Sequence, residues 1–294
     1  MLSGIIPPLP TPFDASGQLD IDGLQRLITD LSPHVDGFLL LGSNGEAVYL
    51  REEERREVIV AARAVIPKHQ PMLVGTGGEA TALVAARNAE AAELGADIVL
   101  VLPPHYYQGA MNEAVLRQHY QHLADRSPLP LMLYNIPAAT TLSLSPALVA
   151  SLATHPNIGG LKDSSGNLLT LGEILRQVPE DFCVMTGNAP TLVAALAMGA
   201  KGGILAVANV VAEVYRRIYQ HMQAGELEAA RALQLRYNPL ALAVTNRFGV
   251  PGLKATLRAQ GRSAGYPRAP MQDVSAEVQA ELQALLEAQT QTPA

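Results

Sequence analysis

The chain is poor in several features that would otherwise set its class. Its 294 residues contain one cysteine, Cys183, which excludes an internal disulfide. The apolar run Phe182-Cys183-Val184-Met185 marks that thiol as an inert core residue of a reducing compartment, and a cytoplasmic protein is expected. Basic residues number 21 against 27 acidic ones, for a formal charge of −6. With no basic stripe there is no footprint for nucleic acid or anionic lipid, so a small-molecule partner is expected. No apolar run approaches the roughly 20 residues of a membrane span, and Met1–Pro8 lacks a basic leader. Low-complexity linkers and internal repeats other than a βα unit are also absent.

Apolar residues make up 48% of the chain, enough for one large core. Short apolar runs alternate with helical patterns, the sequence form of repeated βα units on a parallel sheet. Strands are predicted at Ile5–Pro8, Phe38–Leu41, Met72–Val74, Ile98–Leu102, Leu131–Tyr134, Ile158–Lys162, Cys183–Thr186 and Gly203–Leu205. Their number is that of a closed (β/α)8 TIM barrel. Helices are predicted at Ile21–Leu31, Glu52–Ile66, Ala80–Leu94, Glu113–Asp125, Pro146–Ala153, Leu168–Gln177, Pro190–Met198 and Val211–Ala224. Ser145-Pro146 supplies a capping hydroxyl before a first-turn proline, and Gly225 stands where the last of these helices ends. Glu52-Glu53-Glu54 followed by Arg55-Arg56 follows the helix dipole and reads as a solvated face. After Gly225 helical patterns continue alone, at Leu227–Leu235, Ala241–Arg247, Leu253–Ala259 and Val274–Glu287. The expected organisation is a barrel over residues 1–225 and a C-terminal helical region over 226–294 packed on it, with Gln289–Ala294 frayed.

In such a barrel the chemistry lies where the strands end. Four lysines occur, at 68, 162, 201 and 254, and only Lys162 ends a predicted strand, in Ile158-Gly159-Gly160-Leu161-Lys162-Asp163-Ser164-Ser165-Gly166. An ammonium in apolar surroundings loses hydration and its pKa falls, freeing the amine to attack a carbonyl; the competing reading is a lysine reaching to the sheet rim. Gly42-Ser43-Asn44-Gly45-Glu46 suits a carboxylate or phosphate held by short polar groups, and it equally suits a tight βα turn. Gly75-Thr76-Gly77-Gly78 matches no phosphate-loop spacing and reads as a structural turn. Tyr134, on the strand next to that of Lys162, is either a proton relay or a core tyrosine. Tyr106 and Tyr107 are adjacent, so at most one faces a site. His119 and His122 share a helical face without a carboxylate to complete a ligand set, so no metal is expected.

Together these residues identify the chain as a member of the dihydrodipicolinate synthase and N-acetylneuraminate lyase family of Schiff-base barrel enzymes. The resemblance spans nearly the whole length, through Gly42-Ser43-Asn44-Gly45-Glu46, Tyr134-Asn135-Ile136-Pro137, Gly160-Leu161-Lys162-Asp163-Ser164 and Gly187. It implies a class I aldolase in which Lys162 forms an imine with pyruvate, Tyr134 relays protons, Ser43 and Asn44 hold the carboxylate, Tyr106 assists, and Ser164 and Gly187 line the pyruvate side. It further implies a homotetramer, a dimer of dimers, with no cofactor and no metal.

Three features resemble 4-hydroxy-2-oxoglutarate aldolase most: Gly-Ser-Asn-Gly-Glu where the synthases carry two threonines, His155-Pro156-Asn157-Ile158, and Arg247-Phe248-Gly249-Val250-Pro251-Gly252-Leu253-Lys254. The synthases also resemble Tyr-Asn-x-Pro-x-Arg where this chain has Ala139. Losing a bidentate arginine grip removes about 1.5 to 3 kcal/mol of binding, which disfavours the synthase. The expected reaction is cleavage of 4-hydroxy-2-oxoglutarate to pyruvate and glyoxylate. The alternatives are the synthase, a 2-keto-3-deoxy sugar acid aldolase, a neuraminate-type lyase, and an inactive barrel that binds 2-oxo acids.

Overall fold

A computed structural model describes residues 2–290. In chain order the elements are β1 (Gly4–Ile6), α1 (Ile21–Leu31), β2 (Phe38–Leu40), α2 (Glu52–Val65), β3 (Met72–Gly75), α3 (Thr81–Glu93), β4 (Ile98–Val101), α4 (Glu113–Arg126), β5 (Leu131–Asn135), the single-turn α5 (Pro137–Thr140), α6 (Pro146–Leu152), β6 (Ile158–Asp163), α7 (Leu168–Gln177), β7 (Cys183–Thr186), α8 (Leu192–Ala197), β8 (Gly202–Ile204) and α9 (Ala212–Gln223). Beyond these lie α10 (Leu227–Leu242), α11 (Gly249–Ala259) and α12 (Ala276–Thr290).

The eight strands are all parallel and follow the order β1-β8-β7-β6-β5-β4-β3-β2. Leu9 N donates to Leu39 O (2.8 Å) and Leu39 N to Pro7 O (3.1 Å), joining the two ends of the sheet. The predicted (β/α)8 barrel is therefore the fold.

Strand pleating sorts the apolar residues into two cores. Ile6, Leu39, Leu73, Leu100, Met132, Tyr134, Met185 and Ile204 fill the barrel, while Phe38, Leu40, Val99, Val101, Leu131 and Leu133 pack outward against the helices. Helix signals work locally as the sequence suggests. Asp20 accepts from Gly23 N at 2.8 Å, and Leu24, Leu27, Ile28 and Leu31 then bury one face of α1. Ser145 caps α6 by accepting from Leu148 N at 3.1 Å. Gly225, at φ 77°, closes α9.

Three departures have physical causes. First, α2 is not simply solvated, since Glu54 and Arg55 are buried. Glu54 receives two hydrogen bonds of 2.8 Å from Arg268, and Arg55 donates to Gly75 O at 2.6 Å, partners that adjacent residues cannot reveal. Second, α10 runs through Pro239 rather than stopping near Leu235, and a π turn, Ala243–Arg247, follows. Pro239 and Leu235 both lie on the exposed face, so the carbonyl that proline leaves without a donor is on the solvent side. Third, α12 includes Gln289, which was expected to fray; of that segment, 291–294 lies outside the described residues. Among the described residues no helix is long and apolar enough to cross a membrane.

Candidate active site

Parity and register place the central pair. Tyr134 on β5 is the register partner of Lys162 on β6, which in turn partners Met185 on β7. Tyr134 and Met185 point into the barrel, so Lys162 does too, and it is 3% exposed. Its Nζ lies 4.2 Å from the centroid of the Tyr134 ring. The alternating residues Asn135 and Asp163 face outward and hold each other, Asn135 Nδ2 donating to Asp163 Oδ1 at 2.7 Å. Ser165 Oγ donates to the other Asp163 oxygen at 2.8 Å, and Leu144 N donates to Asn135 Oδ1 at 3.0 Å. Backbone bonds from Ser164 N to Asn135 O (2.8 Å) and from Gly187 N to Asp163 O (2.6 Å) continue the ladder past the strand ends. The lysine is thus fixed from behind while its amine stands among barrel side chains.

Ser164 and Gly187 stand beside this amine. A Cβ on Gly187 would come within 1.9 Å of Ser164 Oγ and 3.2 Å of Lys162 Cε, so only glycine leaves room there.

After β2 the chain folds into a tight turn, Ser43–Gly45, closed by Gly45 N to Gly42 O (3.0 Å) and Glu46 N to Ser43 O (3.1 Å). Left-handed residues flank it, Leu41 at φ 54° and Glu46 at φ 53°, a conformation disfavoured by a β-carbon and kept only where surroundings impose it. Gly75 makes this possible, since a Cβ there would lie 2.1 Å from Leu41 O. The turn presents Ser43, whose hydroxyl lies 3.2 Å from Tyr134 Oη, with Asn44 half-buried next to it. Ser43 thus meets Tyr134 through its hydroxyl, and Tyr134 meets Lys162 through the face of its ring, at the barrel mouth.

Ser43 and Tyr134 also line a cavity of about 650 Å³ that spreads over the ends of β2 to β5, past Gly77, Leu102 and Ala139. Its cations are engaged. Arg55 is tied to Gly75 O and to Ala47 O (3.3 Å), and burial lowers its pKa to about 10. Arg87 donates to Gly77 O (2.7 Å) and pairs with Glu52, while His105 Nδ1 lies 3.0 Å from Glu79. These groups shape the wall, with their donors directed at protein acceptors.

Other sequence candidates lie elsewhere. Tyr106 and Tyr107 are both on the surface, 74% and 72% exposed, their rings edge to face at 5.0 Å. The Tyr106 backbone N donates to Glu79 Oε2 at 2.9 Å, and the residue is separate from the cavity wall. His119 is buried against Thr81 Oγ1 (2.8 Å) and His122 lies beside Arg126 (3.1 Å). Among the described residues no cluster of three His, Cys, Asp or Glu side chains is spaced to hold a metal. Cys183 is buried, and burial pushes its thiol up to about 11, as suits an inert core residue.

One buried group was not legible as part of the site. Lys254 on α11 is fully buried and paired with Glu46 of the turn. Its signal was a single lysine within the otherwise apolar stretch Leu253-Lys254-Ala255.

Relatives match this chain from end to end. A model of the dihydrodipicolinate synthetase family matches residues 1–289. The chain is 33% identical over 288 residues to a 4-hydroxy-tetrahydrodipicolinate synthase from an Exiguobacterium species, covering 98% of each chain. It is 35% identical over 278 residues to another from Methanoculleus marisnigri, covering 93% of this chain and 94% of that one. Among solved structures it superposes on a putative dihydrodipicolinate synthase from Thermus thermophilus with a TM-score of 0.89 at 41% identity, covering 97% of this chain and 98% of the other. A prophage protein of the dihydrodipicolinic acid synthase family from E. coli K12, solved in complex with pyruvate, gives 0.93 at 32% identity, with 99% and 100% covered. The barrel, the buried lysine at the end of its sixth strand and these matches over almost the full length lead to one assignment: the chain belongs to the dihydrodipicolinate synthetase family of enzymes.

Proposed function

We propose that Lys162 forms a Schiff base with pyruvate or a related 2-oxo acid, and that the barrel, residues 1–225, carries the chemistry with residues 226–294 supporting it. The observation that carries this reading is the juxtaposition of Lys162 Nζ with the Tyr134 ring at 4.2 Å and of Tyr134 Oη with Ser43 Oγ at 3.2 Å. The neutral amine attacks the ketone carbon and water leaves, giving a protonated imine that accepts the electron pair of a C3 carbanion. Tyr134 gives or takes the proton at the reacting oxygen, and Ser43 orients the phenol. Ser43 and Asn44 bind the carboxylate, and Ser164 with Gly187 flank the pyruvate carbons. Tyr106, exposed on its loop, acts across a subunit boundary in a homotetramer.

For the second half of the reaction the relatives' names favour condensation, as in 4-hydroxy-tetrahydrodipicolinate synthase, over the cleavage of 4-hydroxy-2-oxoglutarate expected from sequence. Ala139 on the cavity wall, where the synthases' arginine is expected, favours the cleavage reading. Profiling decides between them. Trapping with pyruvate and borohydride should leave a permanent adduct on Lys162 by mass spectrometry, and its absence from folded protein overturns the imine. Given the adduct, a higher kcat/KM for aspartate semialdehyde condensation than for hydroxy-oxo-acid cleavage supports the synthase, and the reverse supports the aldolase.

A further inference from the structure

The turn that carries Ser43 and Asn44 is held in its left-handed exit by the C-terminal region. Glu46, φ 53° and ψ 33°, is 2% exposed. One carboxylate oxygen pairs with Lys254 Nζ, and the other accepts from Arg268 N at 2.8 Å. Lys254 donates as well to Thr11 O and Tyr266 O, both at 2.7 Å, so acceptors engage its ammonium on three sides. The ammonium also lies 4.6 Å from the centroid of Phe13, and burial lowers its pKa to about 8 despite the pull of Glu46. Thr11 closes the arrangement, its hydroxyl donating to Gly45 O at 2.7 Å. Gly45 and Glu46 are thus gripped by groups from the β1–α1 segment and from α11.

A buried ion pair is a poor means of raising stability, because desolvation offsets the Coulomb gain, so what it most readily supplies is one defined geometry. Here the backbone it fixes begins three residues from Ser43. We propose that Lys254, Glu46 and Thr11 are positioning residues for 2-oxo acid binding, setting the turn so that Ser43 meets Tyr134 and Asn44 faces the incoming carboxylate. This rests on the Schiff-base reading above, in which Ser43 and Asn44 bind that carboxylate. The C-terminal helices then serve the reaction through the turn, without touching the substrate.

The test titrates pyruvate against borohydride-trapped adduct on Lys162 in the full chain, for wild type, Glu46→Gln, Lys254→Met, Thr11→Val and Thr11→Ser, with thermal unfolding in parallel. Glu46→Gln and Lys254→Met should raise the half-saturating pyruvate concentration about ten-fold or more, while the adduct yield at saturation stays close to wild type. Thr11→Val should shift it a few-fold in the same direction and Thr11→Ser should restore it, because only the hydroxyl reaches Gly45 O. If Lys254→Met or Glu46→Gln fails to fold, the Thr11 pair still decides. Folded variants that lose thermal stability but keep wild-type half-saturation overturn the positioning role and leave the imine intact. A wild-type protein that forms no adduct overturns the Schiff-base reading, and the positioning role with it.

Discussion

Replacing Tyr134 by phenylalanine separates two tasks of one residue. The ring itself needs no hydroxyl for its contact with Lys162 Nζ or for its packing with Leu100, Met132 and Met185. What disappears is the 3.2 Å contact between Oη and Ser43 Oγ. A neutral hydrogen bond contributes about 1 kcal/mol, which in a domain of this size lowers the unfolding midpoint by only about 2 °C. Turnover should respond on another scale. A positioned proton donor contributes about 10²- to 10⁴-fold, or roughly 3 to 5 kcal/mol of barrier. The expected outcome is a kcat at least about 100-fold below wild type with near-normal melting, and an adduct on Lys162 that still accumulates on long incubation with pyruvate and borohydride. Rates from pyruvate-coupled assay, melting curves and mass spectrometry read the three quantities. A folded variant with kcat within about three-fold of wild type would refute the relay and move the acid–base group elsewhere.

Gly187→Ala places a methyl 1.9 Å from Ser164 Oγ and 3.2 Å from Lys162 Cε, so trapping at subsaturating pyruvate should drop about ten-fold, with an overpacking cost of about 1 to 3 kcal/mol read by thermal unfolding. Arg268→Met removes both bonds to Glu54 and those to Gly17 O and Tyr49 O, and should cost about 3 kcal/mol in urea unfolding, with part recovered in the double variant with Glu54→Gln. His119, 5% exposed, has a pKa lowered to about 4 chiefly by burial. Because the unfolded chain binds the extra proton below about pH 6.5, this contribution is complete above that value and is lost as pH falls toward 4, amounting to about 2 kcal/mol between about pH 7.5 and 5. Folded His119→Gln should lack that slope, and an unchanged pH dependence of unfolding would remove His119 as its source.

How much of this was written in the sequence depends on the range of the physics. Strand parity and helix capping act over a few residues, and they sufficed for the β/α alternation, for α1 and α7 to the residue, and for the barrel. The juxtaposition of Lys162 and Tyr134 was legible for the same reason. Lys162 and Tyr134 end adjacent parallel strands, register makes them neighbours, and the pleat turns both inward. Gly187 and Ser43 likewise lie just beyond strand ends, where the barrel rule looks for chemistry. Tyr106, as a loop residue, is placed by loop geometry and neighbours, and in this chain its ring lies on the surface.

The charged residues mark the other boundary. Glu52, Glu53 and Glu54 are indistinguishable by local pattern, yet Glu54 is buried because Arg268 reaches it from the far end of the chain, and this interaction lowers the Glu54 pKa to about 2. Lys162 and Lys254 present the complementary case. Both are buried lysines at the same end of the barrel, and composition alone would assign either as the nucleophile. Their surroundings separate them: Lys254 is paired with Glu46 and donates to Thr11 O and Tyr266 O, while Lys162 Nζ lies over the Tyr134 ring. An ammonium engaged on three sides is a fastener, and the lysine left beside a phenol ring is the one proposed to react. Since the fastener grips the turn whose Ser43 meets Tyr134, the C-terminal helices and the barrel mouth are joined by an ion pair whose members are remote in sequence.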